Sequence, residues 1–326
     1  MELDMKTEVL YLYENRTDVT LTTYILQDSA ELLNGGKRPI VLICPGGAYL
    51  SCSDREAEPV AMAFAAMGYH TAVLRYSTYG EEAFASGFQN MKEKPECCYP
   101  AQMREIGQAV MLLKEHSSEW LIDDKKVIIC GFSAGAHNCA MYATNWFRPI
   151  ITEHFKKDQE MFRPAACILG YCLSDYIYMK ENTTDKLFFD GSNQAFLGTK
   201  TPSDELLKQV SPAKNVTKLT PPTFLWATSA DAMVPVQHSL RMAHALADCH
   251  VPFELHVFEE GPHGLSLATQ ASAASKHQIY PDAAKWVGLV DAWLSKRFAL
   301  DLPDMTPFER MLAEQARKGA QDESEK

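Results

Sequence analysis

The pentapeptide at residues 131–135 reads Gly-Phe-Ser-Ala-Gly, and it lies between an apolar run at 127–130 and a helix-like stretch through Trp146. A Gly-x-Ser-x-Gly between a buried strand and a helix forms a turn so tight that the serine hydroxyl projects from the carboxyl edge of a parallel sheet. Glycines flank the serine because the strained backbone leaves no room for a Cβ atom on either side. This context predicts that Ser133 is a reactive serine on a strand–turn–helix unit.

Strand-like and helix-like segments alternate five or six times along the chain. Two β-rich runs first predict an antiparallel start, and continuous apolar runs then indicate strands that are buried on both faces of a sheet. The sequence therefore predicts an α/β fold, with a mostly parallel central sheet and helices on both faces. The predicted strands are 9–13, 19–26, 40–44, 71–76, 127–130, 166–169, 223–227 and 253–258, and the predicted helices are 55–67, 101–116, 134–146, 235–248 and 282–298.

The whole chain, residues 1–326, is predicted to form a single domain. Between residues 174 and 221 the alternation is lost over a stretch too long for a simple connection, which predicts a lid or substrate-wall insertion before the strand at 223–227. The residues at 303–326 are predicted to be a charged C-terminal tail with frayed last residues.

Two candidate partners for the serine follow it in the chain. A serine hydroxyl needs a base, and the base needs an orienting acid. Asp231 lies just past the strand at 223–227, and His263 lies just past the strand at 253–258. Catalytic groups of open α/β sheets collect at the carboxyl ends of the strands, so Ser133, Asp231 and His263 are predicted to form a catalytic triad.

Other residues of the same types fit these roles less well. His238, His244 and His250 lie on or after one helix and are interpreted as packing or surface residues, and His137 lies on an element that cannot swing toward the serine. Asp231 taken alone would more often be a helix cap, so its assignment depends on its joint placement with the other two residues.

The negative oxygen of a tetrahedral intermediate needs preorganised N–H donors. One predicted donor is the N–H of Ala134, directly after the nucleophile. The second is predicted to come from the loop at 45–49, Pro-Gly-Gly-Ala-Tyr, where small residues let the backbone turn toward the site. Which of its N–H groups faces the oxyanion is left open.

The loop at 45–49, the segment at 131–137, Asp231 and the run at 263–266 resemble the α/β-hydrolase serine esterases. The subgroup that they resemble is the bacterial acetylxylan-esterase-like carbohydrate acetyl esterases, near the hormone-sensitive-lipase-like enzymes. Lipase-like relatives carry His-Gly-Gly-Gly, whereas this chain has Pro45 and Ala48 in place of the first and last of these residues. The resemblance spans roughly residues 37–298 and implies oxyanion donors at Gly47 and Ala48.

Composition limits the kinds of partner and the cellular location that can be expected. The net charge of -11 and the pI of about 5.4 argue against nucleic acid and anionic membranes as partners. No cofactor and no metal site is expected. Nine cysteines without a Cys-x-x-Cys pattern, and a start without an apolar leader, predict a cytoplasmic protein. A homo-oligomer is possible, but the sequence does not decide it.

The leading hypothesis is a cofactor-independent serine ester hydrolase that acts on short acyl groups, with acetyl groups on plant-type oligosaccharides as the expected substrate. One alternative is an amidase or peptidase of the same fold, of the arylformamidase or dipeptidyl-peptidase kind. Another is a non-catalytic binding module, although modules of that kind typically lose the serine or the histidine. The substrate-binding residues are not identifiable from the sequence.

Overall fold

The computed structural model describes residues 5–324, with side chains as far as residue 318. Its centre is an eight-stranded sheet in the order β1-β2-β4-β3-β5-β6-β7-β8. The first two strands form an antiparallel hairpin that pairs antiparallel with β4, and all other neighbours are parallel. This confirms the predicted mostly parallel α/β sheet. The strands are β1 Lys6–Tyr13, β2 Arg16–Ile25, β3 Arg38–Cys44, β4 His70–Arg75, β5 Ile122–Phe132, β6 Ala166–Gly170, β7 Thr223–Thr228 and β8 Phe253–Phe258.

The helices cover both faces of this sheet, so β3 and the apolar part of β5 are buried on both sides. On one face the core includes residues of α3, α4 and α9, and on the other it includes residues of α1 and α11. The helices are α1 Glu58–Ala66, α2 Glu82–Ala85, α3 Ala101–Glu115, α4 Ala134–Ala143, α5 Pro149–Phe155, α6 Tyr176–Asn182, α7 Lys186–Leu197, α8 Asp204–Gln209, α9 Gln237–Asp248, α10 Pro281–Ala284, α11 Trp286–Phe298 and α12 Pro307–Ser324.

The segment at 174–221, proposed from the sequence as a lid or substrate wall, contains three short helices, α6, α7 and α8. Each has a side-chain N-cap, supplied by Asp175, Asp185 and Ser203 in turn, which accepts hydrogen bonds from backbone N–H groups of the first turn. These helices are 7, 12 and 6 residues long, respectively.

The C-terminal tail, predicted as a charged segment with frayed last residues, is helical over Pro307–Ser324. The last two residues, 325 and 326, lie outside the described residues. Thr306 and Glu309 form a capping box at its start, since the Thr306 N–H donates to the Glu309 carboxylate and the Glu309 N–H donates to the Thr306 hydroxyl. Within residues 5–324, none of the helices combines the length and the apolar character needed to cross a bilayer.

Candidate active site

Ser133 lies at the turn between β5 and α4 with φ 52° and ψ -120°, a backbone conformation that is unfavourable for a residue with a side chain. The neighbouring glycines make this turn possible. A Cβ atom at Gly131 would lie 2.3 Å from the Gly135 carbonyl oxygen, and one at Gly135 would lie 2.0 Å from that of Cys44. The chain can therefore hold Ser133 in this position only with glycine on both sides.

The three residues of the predicted triad lie in one chain of hydrogen bonds. His263 Nε2 lies 2.7 Å from Ser133 Oγ, and His263 Nδ1 lies 2.7 Å from Asp231 Oδ2. The other carboxylate oxygen of Asp231 accepts from the N–H groups of Met233 and Val234, each at 2.9 Å. A carboxylate can only accept, so Nδ1 carries the proton and Nε2 offers its lone pair to the serine hydroxyl.

Asp231 and His263 meet because β7 and β8 are parallel neighbours that end at the same edge of the sheet. The loops after these strands are joined by a hydrogen bond of 2.6 Å from the Thr228 hydroxyl to the Gly261 carbonyl oxygen. Gly261 has φ 127°, a conformation open to glycine, which turns the loop toward the serine.

The loop at 45–49 runs beside the serine turn because Cys44 of β3 is paired with Gly131 of β5. Gly46 is unavailable as an oxyanion donor, since its N–H donates to Glu56 Oε2 at 2.7 Å and its carbonyl accepts from Ser53. In the described part of the chain, no hydrogen bond is recorded from the N–H groups of Gly47, Ala48 or Ala134. These three residues line the same cavity as Ser133, so the open choice among the loop's donors narrows to Gly47 and Ala48.

The cavity beside Ser133 has a volume of about 240 Å³ and mainly apolar walls. Much of the wall comes from the 174–221 segment, and Phe84 of α2 and Met233 of the loop after β7 add to it. Several aromatic side chains therefore face this space. Its apolar lining includes Phe84, Leu173, Tyr176, Met179, Phe188, Phe189, Met233 and Val234.

The rival residues considered from the sequence lie outside the hydrogen-bonded chain of the triad. His238 is buried, and its Nδ1 accepts from the N–H groups of Ser174 and Asp175; burial lowers its pKa to about 4. The side chain of His244 is 79% exposed and pairs with the exposed Asp248.

His137 packs under the cavity and braces the loop at 45–49. The hydroxyl of Tyr49 lies 2.5 Å from its Nδ1, and its Nε2 lies 2.8 Å from the Val210 carbonyl oxygen. A carbonyl can only accept, so Nε2 carries the proton and Nδ1 accepts from Tyr49. Complete burial lowers the pKa of His137 to about 4, so the ring is neutral near neutral pH.

Two residues beside the site were not identified from the sequence. Glu56 and Tyr171 are both buried, and the Tyr171 hydroxyl donates to Glu56 Oε1 at 2.5 Å. Burial, with the neighbouring Glu56, raises the pKa of Tyr171 well above its usual value. Tyr171 directly follows β6, so its position at a strand end was a usable signal, whereas Glu56 carried no comparable signal.

A mostly parallel sheet that holds a serine on a strand–turn–helix unit, with an aspartate and then a histidine after later strands, defines the class of α/β-hydrolases. The family model described as BD-FAE matches residues 31–246. The chain therefore belongs to the BD-FAE family.

Solved structures extend the similarity to nearly the whole chain. The carboxylesterase Cest-2923 from Lactobacillus plantarum is 28% identical, with a TM-score of 0.74, over 92% of this chain and 100% of that one. The acetyl ester-xyloside bifunctional hydrolase from Caldicellulosiruptor lactoaceticus is also 28% identical, with a TM-score of 0.69, over 91% of this chain and 98% of that one.

Curated relatives match over shorter parts of their own length. Endo-1,4-beta-xylanase B of Butyrivibrio fibrisolvens is 33% identical over 232 residues, which are 71% of this chain and 33% of that protein. Esterase LipQ of Mycobacterium tuberculosis is 25% identical over 67% of this chain and 48% of that protein. The chain thus spans between a third and a half of these two proteins. Together the comparisons confirm the predicted α/β-hydrolase fold, and the esterases among the similar proteins support the predicted enzyme class, a carboxylesterase.

Proposed function

We propose that this protein is a serine ester hydrolase that removes short acyl groups, acetyl groups above all, from plant-type oligosaccharides. The observation that carries the proposal is the chain of two 2.7 Å contacts from Ser133 through His263 to Asp231 at the cavity. This arrangement supports nucleophilic catalysis, because a neutral imidazole that is oriented by a carboxylate can accept the serine proton.

In the proposed reaction, Ser133 Oγ attacks the ester carbonyl carbon while His263 Nε2 takes the hydroxyl proton. The negative oxygen is stabilised by the N–H groups of Ala134 and of Gly47 or Ala48. His263 then returns the proton to the leaving alcohol, which leaves an acyl group on Ser133. A water molecule, deprotonated by the same imidazole, hydrolyses this acyl-enzyme and restores the serine.

The size of the cavity supports a small acyl group. Its volume of about 240 Å³ lies below the range of roughly 300–1,000 Å³ that is common for pockets enclosing a whole drug-sized ligand. We therefore expect the acyl part of the substrate to lie inside, against apolar side chains such as Leu173 and Val234, with the alcohol part extending outward.

The proposed sugar alcohol has two supports. Aromatic side chains of the cavity, among them Phe84 with 49% of its surface exposed, could stack on a sugar face. Two of the similar proteins carry xylose-based names, the acetyl ester-xyloside hydrolase and the endo-1,4-beta-xylanase.

The test measures acetate release from acetylated xylo-oligosaccharides, with aryl acetates and long-chain aryl esters for comparison. Ser133→Ala is expected to lower kcat by ~10⁴-fold or more. Ser239→Ala is the matched control, since Ser239 is a buried serine outside the cavity, and it should keep the wild-type rate. A folded Ser133→Ala protein with near-normal activity would rule out the mechanism.

Labelling and a wider set of substrates separate the alternatives left open by the sequence. Formation of a covalent adduct with a fluorophosphonate would exclude a binding module. A higher kcat/KM on aryl formamides or dipeptide amides than on acetyl esters would favour the amidase or peptidase alternative. Preference for long-chain aryl esters would contradict the short-acyl part of the proposal.

A further inference from the structure

The carboxylate of Glu56 joins two loops of the candidate active site. Glu56 is 3% exposed and ends a short 3-10 turn at Asp54–Glu56. Its Oε2 accepts from the N–H of Gly46 at 2.7 Å, and its Oε1 accepts from the hydroxyl of Tyr171 at 2.5 Å. Each oxygen of the carboxylate therefore has its own donor.

Tyr171 continues this connection to the loop that carries His263. The tyrosine hydroxyl accepts from the N–H of Ser266 at 2.9 Å while it donates to Glu56. Its ring packs edge-on against the His263 imidazole, with 5.0 Å between ring centroids and 72° between planes. The orientation of the base is thus tied to the carboxylate through one side chain.

Arg55 holds the same loop from the neighbouring position. Its guanidinium Nη2 donates to the Gly264 carbonyl oxygen at 2.9 Å, and its own carbonyl accepts from the Ser266 hydroxyl at 2.6 Å. Arg55 therefore holds the His263 loop directly, and Glu56 holds it through Tyr171. Of these two residues, only Glu56 also bonds to Gly46.

Burying the carboxylate of Glu56 at this position costs free energy. None of the ion pairs recorded among the described residues involves it, and a carboxylate buried without a cation loses hydration that its hydrogen bonds must replace. A glutamine of the same shape offers one acceptor and one donor, so it cannot accept from both partners. The two-acceptor requirement explains why a carboxylate is needed here.

We propose that Glu56 is a positioning residue for catalysis. By fixing Gly46, it aims the next N–H groups of the loop at the oxyanion, and through Tyr171 it keeps this loop in register with His263. The inference rests on the proposed serine mechanism. The new element is that one carboxylate, that of Glu56, aligns both the oxyanion donors and the base. Replacing Glu56 should therefore disturb both together.

The test compares Glu56→Gln with Tyr171→Phe, which retains the bond from Gly46 to Glu56 but cuts the link to Ser266. Glu105→Gln is the matched control: Glu105 is also buried, accepts hydrogen bonds from Ser77 and Tyr13, and lies outside the cavity. For each protein the thermal midpoint, kcat and KM on an aryl acetate, and the rate of fluorophosphonate labelling are measured.

Glu56→Gln is expected to lower both kcat and the labelling rate by ~10–100-fold, with KM changed less than about threefold. The reason is that misplaced oxyanion donors and a misplaced base stabilise the transition state less well, whereas binding of the substrate depends on them less. Tyr171→Phe should lower the same two rates by a smaller factor. Glu105→Gln should lower the thermal midpoint and keep wild-type rates. If Glu56→Gln does not fold, the kcat and the labelling rate of Tyr171→Phe decide whether the inference holds.

Wild-type labelling rates for both Glu56→Gln and Tyr171→Phe would overturn the inference, and so would an equal loss of rate in Glu105→Gln. Failure of the proposed serine mechanism would look different, because the wild-type protein itself would then resist labelling. Labelling does not depend on which ester is the substrate, so a wrong choice of acyl group leaves this result unaffected.

Discussion

The buried imidazole of His137 should make the stability of the protein depend on pH in a measurable way. It lies between Tyr49, which donates to Nδ1, and the Val210 carbonyl, which accepts from Nε2. A second proton would go to Nδ1, where the tyrosine hydroxyl now donates. Burial lowers the pKa from an ordinary 6.5 to about 4.

Whether acid raises or lowers the free energy of unfolding depends on which state, folded or unfolded, binds the proton. Above pH 6.5 the ring is neutral in both the folded and the unfolded chain, so it adds no pH dependence. As the pH falls from 6.5 toward 4, the unfolded chain takes up a proton and the folded protein does not. The free energy of unfolding then falls by ~1.4 kcal/mol per pH unit, and by ~3 kcal/mol over the whole window, as an order of magnitude.

The assay is urea unfolding at several pH values between 4.5 and 7, for the wild type and for His137→Gln. The substitution should lower stability at every pH, because a buried pair of hydrogen bonds is disturbed. It should also make the fall in acid shallower, by up to ~1.4 kcal/mol per pH unit. His244→Gln, at a mostly exposed histidine, is the control for the loss of a histidine as such.

Parallel curves for the wild type and His137→Gln would refute the argument. His238 and His70 also have pKa values lowered to about 4 by burial, and they remain in both proteins. Burial, the largest cause of both shifts, is the same in the two proteins, and His137 is only a minor cause of the His238 shift. Most of their contribution to the slope therefore cancels in the comparison, and the remaining difference reports on the imidazole beneath the loop at 45–49.

Three further results are expected. Asp231→Asn should lower kcat by up to ~10⁴-fold, because the imidazole then takes the wrong tautomer, and a reduction of less than about threefold would contradict the triad. Gly46→Ala should lower kcat by more than ~10-fold, because its methyl would stand 2.9 Å from the Cβ of Ser133 and so displace the nucleophile. Gly288→Ala, with open space around it, is the control and should keep the rate. Chelator should leave kcat unchanged, because this chemistry makes its own nucleophile, and zinc-dependent recovery of a lost rate would contradict it.

The parts of the site that could be predicted from sequence are those fixed by strand ends. Ser133 and Asp231 follow strands that apolar runs made visible, and His263 follows a strand of alternating residues, Phe253–Phe258. Parallel strands bring their carboxyl ends to one edge. Local pattern was enough to expect these residues near one another, because the sheet supplies the long-range geometry.

Glu56 could not be found in this way, because its role arises only from tertiary contacts. Its partner Tyr171 lies 115 residues further along the chain, and the two meet only once β6 and the 3-10 turn pack together. The helices of the 174–221 segment were missed for another reason. Their apolar residues face both the core and the cavity, as Phe196 and Phe188 do on α7, so no single apolar stripe marks them.

Helix α7 contacts the candidate site in two places. Phe188 and Phe189 form part of the cavity wall, and one turn further on the Ser192 hydroxyl donates to the Ala48 carbonyl at 3.0 Å. The peptide that carries the Ala48 carbonyl continues the proposed oxyanion loop. We therefore expect that a shift of α7 to accept a larger acyl group would also displace this loop through the Ser192 hydrogen bond. On this reasoning acyl preference and turnover should change together when α7 is perturbed, which would make the 174–221 segment part of the proposed catalytic scaffold and not only a wall of the cavity.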